Sequence, residues 1–140
     1  MAGGQSALRS MGIALAFAVN STIASAASDY ICEVKAAYTL SDGLLGRHPS
    51  SNAFEGKIFT VDRHTGQIEG HPLFSSSGWL GKKQVLDYGS RQQSFKMLLV
   101  TPPFVSVRLL VVNEYDNGIE KDFALTDNSD TFTGICHHGQ

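Results

Sequence analysis

Three consecutive ionisable residues, Asp62, Arg63 and His64, stand between two short apolar runs and have the side chains needed for acid–base chemistry. A carboxylate that orients an imidazole is a familiar arrangement for a general base. Consecutive residues of a strand, however, face opposite sides of a sheet, and the surrounding sequence marks no nucleophile or oxyanion donor. We therefore interpret the triplet as a polar turn, in which Asp62 accepts hydrogen bonds from turn amides while Arg63 and His64 point into water.

The histidines are the other residues that could do chemistry, as ligands of a transition metal. None of them falls in an H-x-H or H-x-x-x-H spacing, which would put two ligands on one face of a strand or helix. The five are His48, His64, His71, His137 and His138. The serines of residues 75–77 lack a G-x-S-x-G elbow, and no phosphate-binding glycine loop is present. The sequence thus predicts no catalytic residue, no metal site and no cofactor.

The first 27 residues have the pattern of a secretory signal peptide. A polar start that carries Arg9 precedes the apolar run of residues 11–19. Ala24-Ser25-Ala26 forms an A-x-A cleavage site, and Ser25-Ala26-Ala27, one residue further on, is the alternative. A membrane anchor needs about 20 apolar residues, which this run does not reach. We predict a helical signal peptide over residues 1–27 and one domain over residues 28–140, periplasmic or secreted, with no stable membrane anchor after cleavage.

The two cysteines lie near the two ends of the predicted domain. In an oxidising compartment two lone cysteines most simply form a disulfide, so we predict a bond between Cys32 and Cys136. A metal site built from Cys136, His137 and His138 is the alternative, but it needs a reduced thiolate and fits export poorly. The disulfide would place the first and last strands side by side.

Composition limits the classes of partner. The chain has 140 residues, of which 42% are hydrophobic and 17% charged, as expected for one globular domain. Its formal net charge of −2 argues against nucleic acid and against an anionic membrane, because both require a basic surface.

The elements that must position these residues are strands. No window keeps a helical period for ten residues, whereas short β-branched and aromatic runs alternate with Gly, Asn, Asp and Pro clusters. This pattern predicts an all-β antiparallel meander that forms a small barrel or closed sandwich of about eight strands. The expected strands are Tyr30–Leu40, Phe54–Asp62, Gln67–Gly70, Gln84–Tyr88, Ser94–Val100, Phe104–Tyr115, Ile119–Leu125 and Thr131–Cys136. Asp42-Gly43 and Tyr88-Gly89 are expected to be turns.

One hairpin is predicted around Asn117-Gly118, whose residue types suit the two positive-φ positions of a type I′ turn. The resulting pairs are Asp116 with Ile119, Glu114 with Lys121, Val112 with Phe123, and Leu110 with Leu125. The strand that leads into this turn is apolar on both faces, which predicts a central position in the sheet.

A second hairpin is predicted over residues 59–70. A four-residue loop, Arg63 to Gly66, keeps the apolar residues on one face, since it pairs Val61 with Ile68 and Phe59 with Gly70. Gly66 is then expected in a left-handed conformation.

These segments carry a resemblance. Residues 32–35 (CEVK), 59–70 (FTVDRHTGQIEG) and 134–136 (GIC) resemble small exported bacterial proteins with an F-x-V-D-R-x-T-G-x-I-x-G hairpin and no assigned activity. The resemblance covers about a quarter of the predicted domain and implies an exported β domain. A looser likeness is to periplasmic lysozyme inhibitors. Their S-G-x-x-Y loop is echoed by Ser77-Gly78-Trp79-Leu80, which lacks the tyrosine.

The stretch of residues 71–93 is the most plausible contact surface, since it is rich in Ser and Gly and holds the only tryptophan. Trp79, Lys82, Lys83 and Tyr88 are the predicted partner-binding residues, although Trp79 could instead plug the end of the barrel. We predict a non-catalytic binding or interaction module for a protein partner or a small apolar ligand. The alternatives are a ligand carrier with a cavity in the barrel, a periplasmic inhibitor of a lysozyme-like hydrolase, and a metal-dependent hydrolase.

Overall fold

The structure is a computed structural model that describes residue 1 and residues 29–72, 74, 81–102 and 106–139. Residues 2–27 of the predicted signal peptide and Trp79 lie outside the described residues. Within the described ranges, no helix combines the length and the apolar character needed to cross a membrane.

The described residues form nine antiparallel strands and one short helix, which confirms the predicted all-β fold. The elements are β1 Tyr30–Ser41, β2 Leu44–Arg47, α1 Ser51–Phe54, β3 Ile58–Val61, β4 Ile68–Gly70, β5 Lys82–Ser90, β6 Gln93–Thr101, β7 Ser106–Val112, β8 Lys121–Asp127 and β9 Asp130–His138. Each of the eight predicted strands overlaps one of these. The strand β2 and the helix α1 were not predicted.

The strands follow the order β4-β3-β1-β9-β8-β7-β6-β5, and the sheet curls into a half-barrel. One edge of β1 pairs with β9, and its other edge pairs with β3 over its first half and with β2 over its second. Strand β7 lies between β6 and β8, as the apolar residues on both of its faces predicted.

The concave side of the sheet holds the core. The interior is filled by large side chains that are at most 1% exposed, among them Tyr30, Phe59, Phe74, Phe95 and Met97. The predicted disulfide is present there, since Cys32 and Cys136 are direct neighbours on β1 and β9 and are bonded at 2.02 Å. The first and last strands are therefore joined covalently inside the core.

The turn at Asp42-Gly43 is confirmed and explains the unpredicted strand β2. Both residues have positive φ, 51° and 76°, which is the type I′ geometry that returns the chain directly along β1. Leu44 and Leu45 are exposed on this short strand. The predicted turn at Tyr88-Gly89 is wrong, because Gly89 lies within β5 and the chain reverses at residues 91–92.

The hairpin of residues 59–70 has the predicted register, with Val61 opposite Ile68 and Phe59 opposite Gly70. Gly66 is left-handed, with a φ of 73°. A Cβ atom at Gly66 would lie 2.8 Å from Met97 Cγ and 3.3 Å from Val85 Cγ2. The tip of this hairpin therefore packs against the β5–β6 pair, across the open side of the half-barrel.

The hairpin that joins β7 to β8 differs from the prediction. Val112 pairs with Phe123 and Leu110 with Leu125 as expected. Beyond one further bond, from the Asn113 amide to the Asp122 carbonyl oxygen, an eight-residue loop replaces the type I′ turn. Neither Asn117 nor Gly118 has positive φ. The reason is the ammonium group of Lys121, which donates to the carbonyl oxygens of Glu114 and Asp116 and so holds the loop in a wider curve.

Candidate functional site

Polar side chains from four parts of the chain meet at one end of the half-barrel. Tyr30 is the first residue of β1, Glu114 follows β7, Lys121 begins β8 and His138 ends β9. Arg63 joins them from the loop after β3. Antiparallel neighbours begin and end at the same edge of a sheet, which is why residues so distant in sequence lie together. We call these five residues the Glu114 cluster.

The carboxylate of Glu114 is held by two donors. The Tyr30 hydroxyl donates to Oε2 at 2.6 Å, and His138 Nε2 lies 2.8 Å from Oε1. The Glu114 side chain is 12% exposed, so these bonds replace most of its hydration. Burial, and next the bond to Glu114, raise the pKa of the Tyr30 phenol far above its ordinary value. Tyr30 therefore stays protonated and acts as a permanent donor.

Arg63 is buried at 9% exposure, so the prediction that it points into water is wrong. Its Cζ atom lies 4.9 Å from the centroid of the Tyr30 ring, within the range of a cation–π interaction. Its Nη2 donates to the carbonyl oxygen of Tyr88 at 2.8 Å, on the free edge of β5. Its Nε is buried with no hydrogen-bond partner among the described residues. The four-residue loop directs this side chain over the end of the core.

The rest of the Asp62-Arg63-His64 triplet is a turn, as predicted. Asp62 Oδ1 accepts hydrogen bonds from the backbone amides of His64, at 2.8 Å, and Thr65, at 3.0 Å. These bonds, that from Thr65 first, lower the pKa of the Asp62 carboxyl. His64 is exposed beside the Tyr88 ring. The carboxylate is therefore engaged with amides and does not orient the imidazole.

Lys121 is buried at 7% exposure. Its ammonium donates to the main-chain oxygen of Glu114 at 3.3 Å and to that of Asp116. The predicted cross-strand pair between the Glu114 and Lys121 side chains is therefore wrong. The Lys121 side chain binds loop carbonyls, and it leaves the Glu114 carboxylate to Tyr30 and His138.

A pocket of about 550 Å³ opens above the Glu114 cluster. All the side chains that line it are polar, and glycine supplies the remaining wall. The lining residues are Arg63, Gly89, Ser90, Arg91, Glu114, Asp116, Asn117 and Lys121, which include three cations and two carboxylates. This volume falls within the range of about 300–1,000 Å³ that is typical of small-molecule sites.

In this pocket the hydrogen-bond acceptors have more partners within the protein than the donors have. Both Glu114 oxygens have partners, and Asp116 Oδ1 accepts from the amide of Gly118 at 3.2 Å. By contrast, the exposed guanidinium of Arg91 has no partner within the part of the chain that is described. The pocket thus presents more free donors than free acceptors.

The described members of the predicted partner-binding set, Lys82, Lys83 and Tyr88, lie along the edge strand β5. Lys82 and Tyr88 are six residues apart and so are separated by about 20 Å at the usual rise of a strand. Lys83 Nζ donates to Gln67 Oε1, and Tyr88 is exposed. The structure therefore does not gather the described members of this set at one point, although the Tyr88 carbonyl borders the Glu114 cluster through Arg63.

The side chains that could ligate a metal ion are dispersed in the described structure. No group of three or more His, Cys, Asp or Glu side chains in the described ranges is arranged to hold a metal ion. Cys136 is bonded to Cys32, and His138 contacts Glu114.

The sequence did not predict that Tyr30, Glu114, Arg91 and His138 belong to one site, because nothing in the local pattern indicates that their strands end together.

The fold and the pocket define an all-β antiparallel half-barrel with an internal disulfide and a polar site at one end. Comparisons with protein-family models, with curated proteins and with solved structures find no match for this chain. The resemblances to small exported bacterial proteins and to lysozyme inhibitors therefore stay predictions.

Proposed function

We propose that this protein is an exported, non-catalytic binding module that takes up a hydrophilic ligand in the pocket above the Glu114 cluster. The observation that carries the proposal is the pair of guanidinium groups at this pocket, Arg63 from the loop after β3 and Arg91 from the turn between β5 and β6. Arg63 is buried, whereas Arg91 is exposed and has no partner among the described residues. A ligand with acceptor groups in the pocket would supply hydrogen bonds to these cations.

The protonation state of Tyr30 supports binding over catalysis. General acid–base catalysis needs a group whose pKa lies near the working pH. The pKa of Tyr30 is raised far from that range, and the Glu114 carboxylate already accepts from two donors. Tyr30 is therefore placed to donate a hydrogen bond and not to exchange protons with a substrate.

The packing of the interior favours this pocket over a cavity inside the barrel. Tyr30, Phe59, Phe95 and Met97 are each 0% exposed and fill the space between the strands. The polar lining of the pocket likewise favours a hydrophilic ligand over the apolar ligand expected from the sequence. The disulfide supports a periplasmic or secreted location, where such bonds persist.

The proposal is tested by NMR on uniformly ¹⁵N-labelled protein with its disulfide intact. The small-molecule fraction of a periplasmic extract is added to the wild-type protein and to Arg91→Ala. We expect the amide resonances of Gly89, Ser90 and Asn117 to shift in the wild type and to shift much less in the variant. An Arg47→Ala variant, which removes a guanidinium from β2, serves as the control and should respond like the wild type.

A response confined to other surfaces, such as Lys82 and Lys83 on β5, would contradict the pocket and favour the predicted contact surface. The absence of any response to the extract would contradict the proposal of a small hydrophilic ligand.

A further inference from the structure

We infer that the ligand of this pocket is a hydroxylated monocarboxylate of the sugar-acid class. This inference rests on the proposed function and adds the chemical class of the ligand. Three properties of the pocket lead to it: the surplus of donors, the polar lining on every side and the balance of charges.

The surplus of donors selects an anion. Arginine offers five N–H donors and no acceptor, so a guanidinium group without protein partners takes its acceptors from water or from a ligand. Arg63 is 91% buried, and its one hydrogen bond in the described structure is the 2.8 Å contact with the Tyr88 carbonyl. Arg91 stands at the rim of the same pocket. An anionic oxygen in the pocket would supply the acceptor that Arg91 lacks among the described residues, beside the charge of Arg63.

The charge balance selects a single negative charge. The lining holds three cations and two carboxylates, which leaves an excess of one positive charge. A phosphate monoester carries about −1.5 to −2 charges at neutral pH, and it would meet Glu114 and Asp116 as repelling neighbours. A carboxylate carries one charge, and its planar shape matches the fork of a guanidinium. A carboxylate therefore suits this site better than a phosphate.

The polar lining selects a ligand with hydroxyl groups. Ser90, Asp116 and Asn117 line the pocket with hydroxyl, carboxylate and amide groups. These groups can donate to and accept from hydroxyls, whereas an apolar ligand body would displace their water without replacing its hydrogen bonds. A carboxylate on a polyhydroxylated ring supplies both the anion and the hydroxyls.

The inference is tested by isothermal titration calorimetry at low ionic strength with three probes that share one ring. Glucuronate carries a carboxylate at the sixth carbon, glucose a hydroxymethyl group and glucose 6-phosphate a phosphate. We expect glucuronate to bind with a Kd of about 1 mM or tighter, given the usual free energy per atom of small ligands. Glucose and glucose 6-phosphate should bind at least about tenfold more weakly, because one lacks the charge and the other exceeds it.

Variants locate the binding. Arg91→Ala should weaken glucuronate binding about tenfold, the effect of losing one charge-assisted hydrogen bond. Arg47→Ala removes the same side chain from β2 and should leave the Kd unchanged. Arg91 is exposed and has no described partner, so its removal leaves the fold intact. Equal binding by Arg91→Ala and the wild type would overturn the site.

The other outcomes are equally decisive. Glucose binding as tightly as glucuronate would overturn recognition of the carboxylate, and tighter binding of glucose 6-phosphate would replace it with a phosphate site. If none of the three probes binds while the extract still shifts the resonances of Gly89 and Asn117, the sugar-acid inference fails and the proposed function stands. If neither the probes nor the extract act on the pocket, both fail.

Discussion

The Tyr30 hydroxyl donates a 2.6 Å hydrogen bond to the Glu114 carboxylate, although 84 residues separate the two in the chain. The same carboxylate contacts His138, which is the direct cross-strand neighbour of Tyr30 on β9. The start of β1, the end of β7 and the end of β9 are therefore tied at one carboxylate. This contact needs the complete strand order, so it links the tertiary fold directly to the pocket.

Tyr30→Phe tests how much this link contributes to stability. The substitution keeps the aromatic packing against Phe95 and removes only the donor to a nearly buried carboxylate. We expect the free energy of unfolding to fall by about 1.5–3 kcal/mol, as for a hydrogen bond to a charged group. Chemical denaturation measures it. Tyr115→Phe, an exposed tyrosine, is the control. An equal effect in both variants would show that the bond adds nothing.

The raised pKa of Tyr30 predicts a loss of stability in alkaline solution. In the unfolded chain this phenol ionises around its ordinary pKa of 10.0, whereas in the folded protein it stays protonated to higher pH. The stabilisation is fully present below pH 10 and is lost as the pH rises above it. The wild type should therefore lose stability more steeply than Tyr30→Phe in this range. Parallel denaturation curves for the two proteins above pH 10 would contradict the assignment.

The strands and the hairpin of residues 59–70 were predictable, whereas the pocket was not. Alternation of apolar residues sets the buried face, and the buried face sets the register between Val61 and Ile68. The residue types of Asn117-Gly118 predicted a type I′ turn that the protein does not form, because Lys121 binds carbonyl groups of the loop. That contact depends on a buried ammonium group, which no local pattern reveals.

Arg63 shows that the sequence alone also does not predict the position of a side chain at the pocket. In sequence it belongs to a polar turn, and two of the three residues of that turn behave as predicted. Its burial depends on the Tyr30 ring and on the free edge of β5, which the topology alone brings to it. Long-range strand order was therefore the missing information.

Asp62→Ala tests the turn that presents Arg63. The variant removes the acceptor for the amides of His64 and Thr65, so we expect a loss of about 0.5–1 kcal/mol at neutral pH for these largely solvated bonds. Because the pKa of Asp62 is lowered in the folded state, its contribution is full above the ordinary value of 3.8 and disappears as the pH falls below it. The difference between wild type and variant should therefore shrink in acid.

The control for this turn is Glu69→Ala, which removes an exposed carboxylate from the same hairpin. It should leave the stability at neutral pH nearly unchanged. If the difference in unfolding free energy between wild type and Asp62→Ala stays constant down to pH 2, the charge of the Asp62 carboxylate has no role in the turn.

Removal of the disulfide should have the largest effect on stability. The bond joins residues 104 positions apart, and in the chain-entropy model closing a loop of about 100 residues is worth up to about 4.7 kcal/mol. The double variant Cys32→Ala, Cys136→Ala should lose about 3–5 kcal/mol in urea denaturation. A reductant should destabilise the wild type by a similar amount and leave the variant unaffected. If the reductant also destabilised the double variant, its effect on the wild type would not come from this disulfide.

Gly134 allows a steric test of the pairing between β1 and β9. A Cβ atom at this position would lie 2.0 Å from the Glu33 carbonyl oxygen and 2.8 Å from Phe123 Cε1. The register of β1 shifts between Val34 and Ala36, directly beside Gly134, so the backbones there cannot separate without breaking the ladder. Gly134→Ala should therefore cost about 2–3 kcal/mol or more in thermal or urea denaturation. Gly46→Ala on β2 makes the same chemical change in open space, and should leave stability unchanged or raise it by up to about 1 kcal/mol. Equal stability of the two variants would mean that β1 and β9 do not approach as closely as this register requires.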